Sequence, residues 1–351
     1  MKSSTLKGLL DIAIERGASD LHIVVGRHPI LRIDGALTPI EDEEVISPGT
    51  AEAFIGETMT PEQKAHFLEQ RQLDFTYAPG GTRFRVSAYF QQGTWTASLR
   101  LVPAEIRNVE QLNLPPILNE FAKLAQGFVL MVGPAGHGKS TTTAALLDEI
   151  NRTRAAHIVT IEDPIEYLFT PGSGIISQRE VGSDVRSFSD GLKTVLRQDP
   201  DVIMVGEMRD PESIAAALTA AETGHLVFST LHTNSASQTV DRIIDSFPSG
   251  QQAQVIAQLA TALVAIVSER LVPCIQGGRV PALEIMVTNS AIRNLIRERK
   301  TFSIDSIIQT GKEEGMMMLN NSLAELVKKG QISPENAILY STDPVGMRKM
   351  L

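Results

Sequence analysis

Gly133-Pro134-Ala135-Gly136-His137-Gly138-Lys139-Ser140 is the stretch that decides the fold. It fits the pattern G-x-x-x-x-G-K-[ST] without a gap. An apolar run, residues 128–132, precedes it and a helix-forming run from Thr141 follows it, the strand–loop–helix order that a phosphate-binding loop requires. The glycines let backbone N–H groups turn onto phosphate oxygens, and the N-terminus of the following helix adds partial positive charge. Lys139 is placed to reach the terminal phosphates of a nucleotide, and the Ser140 hydroxyl to ligate Mg2+.

Around the loop, residues 129–132, 157–161, 202–205 and 225–230 are short apolar strands separated by helix-length segments, the signature of a mainly parallel sheet. Asp210-Pro211-Glu212-Ser213 reads as a capped helix start running through Ala221. Beyond Gln251 the chain is expected to be mostly helical, with Val255, Leu259, Ala262, Leu263 and Ile266 forming an apolar stripe. Residues 108–116, with Pro115-Pro116, read as a linker.

The segment before the linker, residues 1–107, reads as a separate α+β unit. Leu6, Leu9, Leu10, Ala13 and Ile14 recur at helical spacing up to Gly17, Asp34-Gly35 signals a tight turn, and Thr60 with Gln63 forms a capping box. Phe84, Val86, Ala88 and Phe90 alternate on one face of a hairpin, as do Trp95, Ala97, Leu99 and Leu101 on its second strand. Arg83, Arg85 and Arg100 fall on the opposite, polar face.

The 351 residues suffice for two domains; 42% are hydrophobic and 21% charged, which excludes general disorder. The single cysteine, Cys274, excludes an intrachain disulfide framework and a thiolate zinc cluster. No apolar run approaches the roughly 20 residues of a membrane span, and the first residues lack a secretory apolar core, so a cytoplasmic protein is expected. A net charge of −9 weighs against broad nucleic-acid binding.

Hydrolysis needs carboxylates at the same sheet edge as the loop. The strand at residues 202–205 runs into Glu207, where ligands of open parallel sheets bind, so Glu207 is a candidate to polarise an attacking water or help hold the metal. A second strand runs into Glu162, Asp163 and Glu166, of which at least one is expected at the metal and its water. His225 and His232 flank the last of the apolar strands; His232 is placed to sense a terminal phosphate or a neighbouring domain, and His225 is read as structural.

Taken together, these motifs make the chain resemble the secretion ATPases of the type II and type IV pilus class over nearly its full length. The phosphate loop matches the family's Walker A motif, residues 161–166 its Asp box, residues 199–210 its Walker B segment and residues 219–233 its His box. The resemblance implies that Glu207 is the catalytic carboxylate and that Glu166 assists at Mg2+ or water. Gly206 stands before Glu207 where many phosphate-loop ATPases have an acid, which puts more weight on the Asp box. Arg85 and Arg100 match first-domain arginines that approach the phosphates.

Ala291-Ile292-Arg293-Asn294-Leu295-Ile296-Arg297-Glu298 matches, residue for residue, a motif of the family's pilus-retraction branch. It reads as an amphipathic helix with Ile292, Leu295 and Ile296 inward and Arg293, Arg297 and Glu298 open to a partner. Ala135, His137 and Phe302 depart from the residues common in the family, and the tetracysteine zinc element of many assembly and type II secretion relatives is missing, which fits the retraction branch. The expected architecture is a PAS-like N-terminal domain followed by a RecA-like domain, residues 117–351, with a helical C-terminal part. ATP is expected between the two domains of a homohexamer at the cytoplasmic face of the inner membrane, acting on the pilus platform protein and working with a second retraction ATPase. A pilus-assembly or type II secretion ATPase, and an accessory nucleotide-binding ring subunit, are the alternatives.

Overall fold

The structure, a computed structural model, describes residues 5–33, 35–102 and 105–351. The chain divides into two compact units. One comprises the residues up to Glu105 together with Glu166–Leu168; the other comprises Ile106–Ile165 and Phe169–Leu351.

The first unit begins with α1 (Leu6–Glu15), whose Leu6, Leu9, Leu10 and Ala13 are buried while Ile14 is turned to solvent. Short strands β1 (Asp20–Ile23), β2 (Ile30–Ile33) and β3 (Ala36–Pro39) follow; Asp34 of the expected turn lies outside the described residues. Helices α2 (Pro48–Glu57) and α3 (Pro61–Gln70) lead into β4 (Gln72–Tyr77), β5 (Arg83–Gln91) and β6 (Thr94–Val102). The capping box at the start of α3 is closed in both directions, Gln63 N–H to Thr60 Oγ1 at 3.2 Å and Thr60 N–H to Gln63 Oε1 at 2.9 Å. All six strands pair antiparallel in the order β3-β2-β1-β6-β5-β4. Phe84, Val86 and Ala88 of β5 and Trp95, Ala97 and Leu99 of β6 form one core with the three helices, so the alternation in sequence becomes two faces, apolar against the helices and polar on the other side.

The second unit opens with α4 (Ile117–Ala122) and β7 (Gly127–Val132). The sheet continues through α5 (Lys139–Thr153), β8 (His157–Glu162), β9 (Ile175–Glu180), α6 (Phe188–Val195), β10 (Val202–Val205), α7 (Pro211–Glu222), β11 (Leu226–Leu231), α8 (Ala236–Asp245) and α9 (Ser249–Ala262). Then come β12 (Leu263–Pro273), β13 (Arg279–Val287), α10 (Ser290–Arg297), α11 (Ile304–Thr310), α12 (Leu319–Lys328), α13 (Pro334–Tyr340) and α14 (Pro344–Met350). Strand order is β13-β12-β7-β11-β10-β8-β9, parallel throughout except for the antiparallel pair β12–β13. The four expected parallel strands are present, with helices covering both faces.

Two expectations change. The stretch at residues 108–116 is no spacer, because Val109 and Leu114 are buried in the core shared by α4, α5 and the sheet. The region after Gln251 is not helix alone: α9 ends at Ala262, and Leu263 and Ile266 belong to β12, which with β13 extends the sheet. A short continuous apolar run, buried on both sides, has the same pattern whether it is strand or helix. The edge strand β9 also went unrecognised, since its residues alternate too weakly to announce a buried face.

Candidate active site

The phosphate loop leaves the carboxyl end of β7, an interior parallel strand with every residue buried. Gly133 (φ 138°) and Gly138 (φ 100°) hold backbone conformations that side chains disfavour, and a Cβ on either would collide with Glu269, at its main chain and its carboxylate respectively. The loop is therefore folded against β12 as closely as backbone allows.

The 15-residue helix α5 starts at Lys139 with no side-chain cap, whereas α3, α6, α7, α8 and α10 are each capped by a Ser, Thr, Asp or Asn side chain. A long helix whose head carries no side-chain cap, joined to a buried lysine, fits a phosphate group. Lys139 Nζ donates to the carbonyls of Gly133 at 2.9 Å and Pro134 at 2.8 Å, which folds it across the loop between Pro134-Ala135-Gly136 and the helix. Ser140 and Thr141 sit in the first turn of α5, the place from which a hydroxyl can meet a phosphate-bound metal. Among the described residues no cluster of three or more His, Cys, Asp or Glu forms a metal cage.

Beyond the loop, β10 ends at Val205 and delivers Glu207, while β11 ends at Leu231 and delivers His232. His232 Nε2 lies 3.1 Å from Glu207 Oε1, and His232 Nδ1 lies 3.5 Å from Lys139 Nζ, a long contact. One neutral tautomer serves both, Nε2–H donating to the carboxylate and Nδ1 facing the ammonium. Arg209 Nε donates to the other Glu207 oxygen at 2.7 Å. Three motifs far apart in sequence thus meet at the carboxyl edge of the parallel strands, where such sheets bind ligands. His225, at the opposite end of β11, is held at Ala220 O at 3.0 Å and stays apart from the site.

The acids after β8 separate. Glu162 is buried and accepts from Thr160 Oγ1 at 2.6 Å and Gln178 Nε2 at 3.2 Å, which fastens β8 to β9. Glu166 belongs with Tyr167 and Leu168 to the first unit. In that unit Arg85 and Arg100 are direct cross-strand partners on the polar face of the sheet. With Asp20, Asp74, Ser87 and Ser98 they line a concavity of about 220 Å³, and Arg100 Nε donates to Asp20 Oδ1 at 2.8 Å.

The retraction-branch motif forms α10, with Asn289 capping its first turn through Ile292 N–H at 3.0 Å. Ile292 and Ile296 are fully buried, Leu295 packs at the edge of the same core, and Ala291 and Asn294 complete the helix. Arg293 is half-buried and engaged within the chain. Its Nη1 donates to the carbonyls of Ala260 at 3.1 Å and Thr261 at 2.8 Å, closing the C-terminus of α9, where unpaired carbonyls and the helix dipole favour a cation. Arg297 and Glu298 remain exposed; Glu298 pairs with Lys300 at 2.8 Å.

The sequence reading missed Glu269. Its buried carboxylate accepts from Thr142 Oγ1 at 2.8 Å beneath Gly138, and burial pushes its pKa up to about 7 although Thr142 and Lys139 favour the charged form. Its signal was the pair Glu269-Arg270 interrupting an apolar run. On β13, Glu284 accepts from Ala236 N–H at 2.7 Å at the head of α8, and burial likewise raises it to about 7. Ser268 Oγ donates to Asn234 O at 3.0 Å, so the β12–β13 hairpin holds the loop after β11 as well as the phosphate loop.

A model of the type II/IV secretion system protein family matches residues 2–279. The chain belongs to that family. It is 45% identical over 335 residues to the type IV pilus retraction ATPase PilT of Pseudomonas aeruginosa, covering 94% of this chain and 96% of that protein. A twitching motility protein of Neisseria gonorrhoeae is 43% identical over 311 residues, 88% of this chain and 83% of its own. The crystal structure of the pilus retraction motor PilT with bound ADP superposes with a TM-score of 0.91 at 44% identity, covering 99% of each chain. This secretion-family chain is accordingly a P-loop ATPase with the α/β fold of that motor.

Proposed function

We propose that the chain is the ATP-hydrolysing subunit of a homohexameric ring that powers retraction of type IV pili. The approach of Lys139, His232 and Glu207 to one another at the mouth of the phosphate loop is the observation that carries the hydrolytic part of this reading. The backbone of Gly136, His137 and Gly138, with Lys139, would hold the phosphates of ATP. Ser140 would ligate Mg2+, with Glu166 assisting at the metal or its water; the ion supplies charge neutralisation on the transferring phosphoryl group. Glu207 orients the attacking water and accepts its proton, while the His232 N–H fixes the carboxylate and Arg209 holds its second oxygen.

Arg85 and Arg100 would add positive charge toward the phosphates, and hydrolysis would be coupled to motion. Retraction is favoured over assembly by the α10 motif and by the names of the relatives. The ring would work at the cytoplasmic face of the inner membrane, on the pilus platform protein and beside a second retraction ATPase. No described helix is long and apolar enough to cross a membrane, which fits attachment through partners.

The test is deletion of the gene in its own host, complemented by wild type, Glu207→Gln and an α10 variant carrying Arg297→Ala and Glu298→Ala. A retraction motor leaves deleted cells piliated and non-twitching, rescued by wild type alone. Loss of pili on deletion would assign the chain to assembly instead, and ATPase activity absent from the purified wild type would make it an accessory subunit.

A further inference from the structure

The ladder between β7 and β12 ends at the rung Val132–Ser268, yet β12 runs on through Glu269–Pro273 alongside the phosphate loop, which has left the sheet. The backbone N–H of Leu271, on this overhang, donates to His137 Nδ1 at 3.0 Å. A side chain of the loop thus supplies the next rung. The His137 ring lies 6.3 Å, centroid to centroid, from Tyr340 at the end of α13, and the Tyr340 carbonyl accepts from Arg270 Nη1 at 2.7 Å. Arg279 of β13 also reaches toward Gly136 O, at 3.5 Å.

We infer that His137 is a positioning residue that fixes the tip of the phosphate loop to the overhang of β12 and couples the loop to the C-terminal helices through Tyr340. This rests on the reading of residues 133–140 as the phosphate site. A bond from Leu271 N–H requires Nδ1 to be unprotonated. Burial, joined by the cationic groups that face the ring, Arg270 from β12, Arg279 from β13 and Lys139 from α5, holds His137 below the ordinary histidine range. With the ring neutral, the loop keeps its shape before any phosphate arrives, and a preorganised site binds more tightly than one ordered on binding. The remaining contact, ring on Tyr340, gives the core of α12, α13 and α14 a direct connection to the loop.

His137→Ser removes both contacts, and His137→Asn separates them, since Asn Oδ1 branches from Cγ as Nδ1 does and can accept from Leu271 while lacking the ring. Hydrogen exchange at the Leu271 amide and calorimetric affinity for ADP with Mg2+ are measured on the full chain, with melting temperature as the folding check. His137→Ser should raise both the exchange rate and the ADP Kd about five- to tenfold, the net worth of one hydrogen bond, and His137→Asn should restore both. In wild type, ADP should slow exchange across Pro334–Tyr340; in His137→Asn at saturating ADP, that protection should be lost.

Wild-type exchange and affinity in His137→Ser, or no rescue by His137→Asn, would overturn the positioning role. Protection of α13 surviving in His137→Asn would overturn the coupling. Lys139→Ala separates these failures from that of the underlying reading: if it binds ADP as wild type does, residues 133–140 are not the phosphate site and the inference falls with it.

Discussion

His232 Nε2 stands 3.1 Å from Glu207 Oε1, with the opposite ring nitrogen turned to Lys139. The imidazole therefore orients the carboxylate on one side and meets the phosphate-facing lysine on the other. Replacing Glu207 by Gln keeps shape and most polar contacts but removes the base. We expect kcat to fall about 10²–10⁴-fold with ADP affinity retained. Steady-state turnover beside calorimetric binding checks it, and near-wild-type turnover would remove Glu207 from the reaction.

Loss of the lysine acts on binding and chemistry together. Lys139→Ala deletes the buried ammonium and opens the contacts to Gly133 and Pro134. Turnover should drop at least about 100-fold, as when one preorganised charge-stabilising donor is lost. The nucleotide Kd should rise as well, in contrast to Glu207→Gln, so that the two variants separate on affinity even where both are inactive.

Glu269 predicts a pH dependence of stability. Its carboxyl, ordinarily at 4.5, is raised to about 7 in the folded chain, so between these values the native state holds a proton that the unfolded state has released. Stability from this group is full below pH 4.5 and is lost as pH rises through 7, by roughly 3 kcal/mol at 1.36 kcal/mol per pKa unit. Glu269→Gln should abolish that loss. The stability difference between variant and wild type, from denaturant unfolding at pH 5 and pH 8, should move toward the variant by about that amount. An unchanged difference would mean that Glu269 ionises normally.

Two arginines of one helix should behave differently. Arg293→Met strips the charged donor from the last carbonyls of α9 and should cost about 1.5–3 kcal/mol of stability. Arg297→Ala, on the exposed side, should leave stability within about 0.5 kcal/mol and instead abolish retraction in cells. Thermal melts beside twitching assays distinguish the two, and a destabilised Arg297→Ala would undo the division.

Much of this site was legible because its signals are local. The phosphate loop has fixed spacing, and Glu207 and His232 each follow an apolar strand directly, so their edge of the sheet could be named from sequence. Glu269 could not, because its partner Thr142 lies 127 positions earlier and only the parallel pairing of β12 with β7 brings them together. The strand character of β12 was hidden for a related reason: Leu263 to Val267 is apolar almost without interruption, and a segment buried on both faces loses the alternation that marks a strand. Arg293 looked outward on a helical wheel because the wheel contains no α9. The acids at the end of β8 read as one cluster in sequence, but the fold separates them, with Glu162 tied to Thr160 and Gln178 and Glu166 in the first unit.

The hairpin of β12 and β13 has a consequence for how the enzyme's speed can vary. Through Glu269 and Leu271 it grips the phosphate loop, and through Ser268 and Glu284 it grips the loop that carries His232. Lysine and histidine are thus hung from one beam, which holds both of their loops. Substitutions along the hairpin can retune turnover while every residue facing the nucleotide stays the same, so rate differences among relatives with identical motifs should be sought there first.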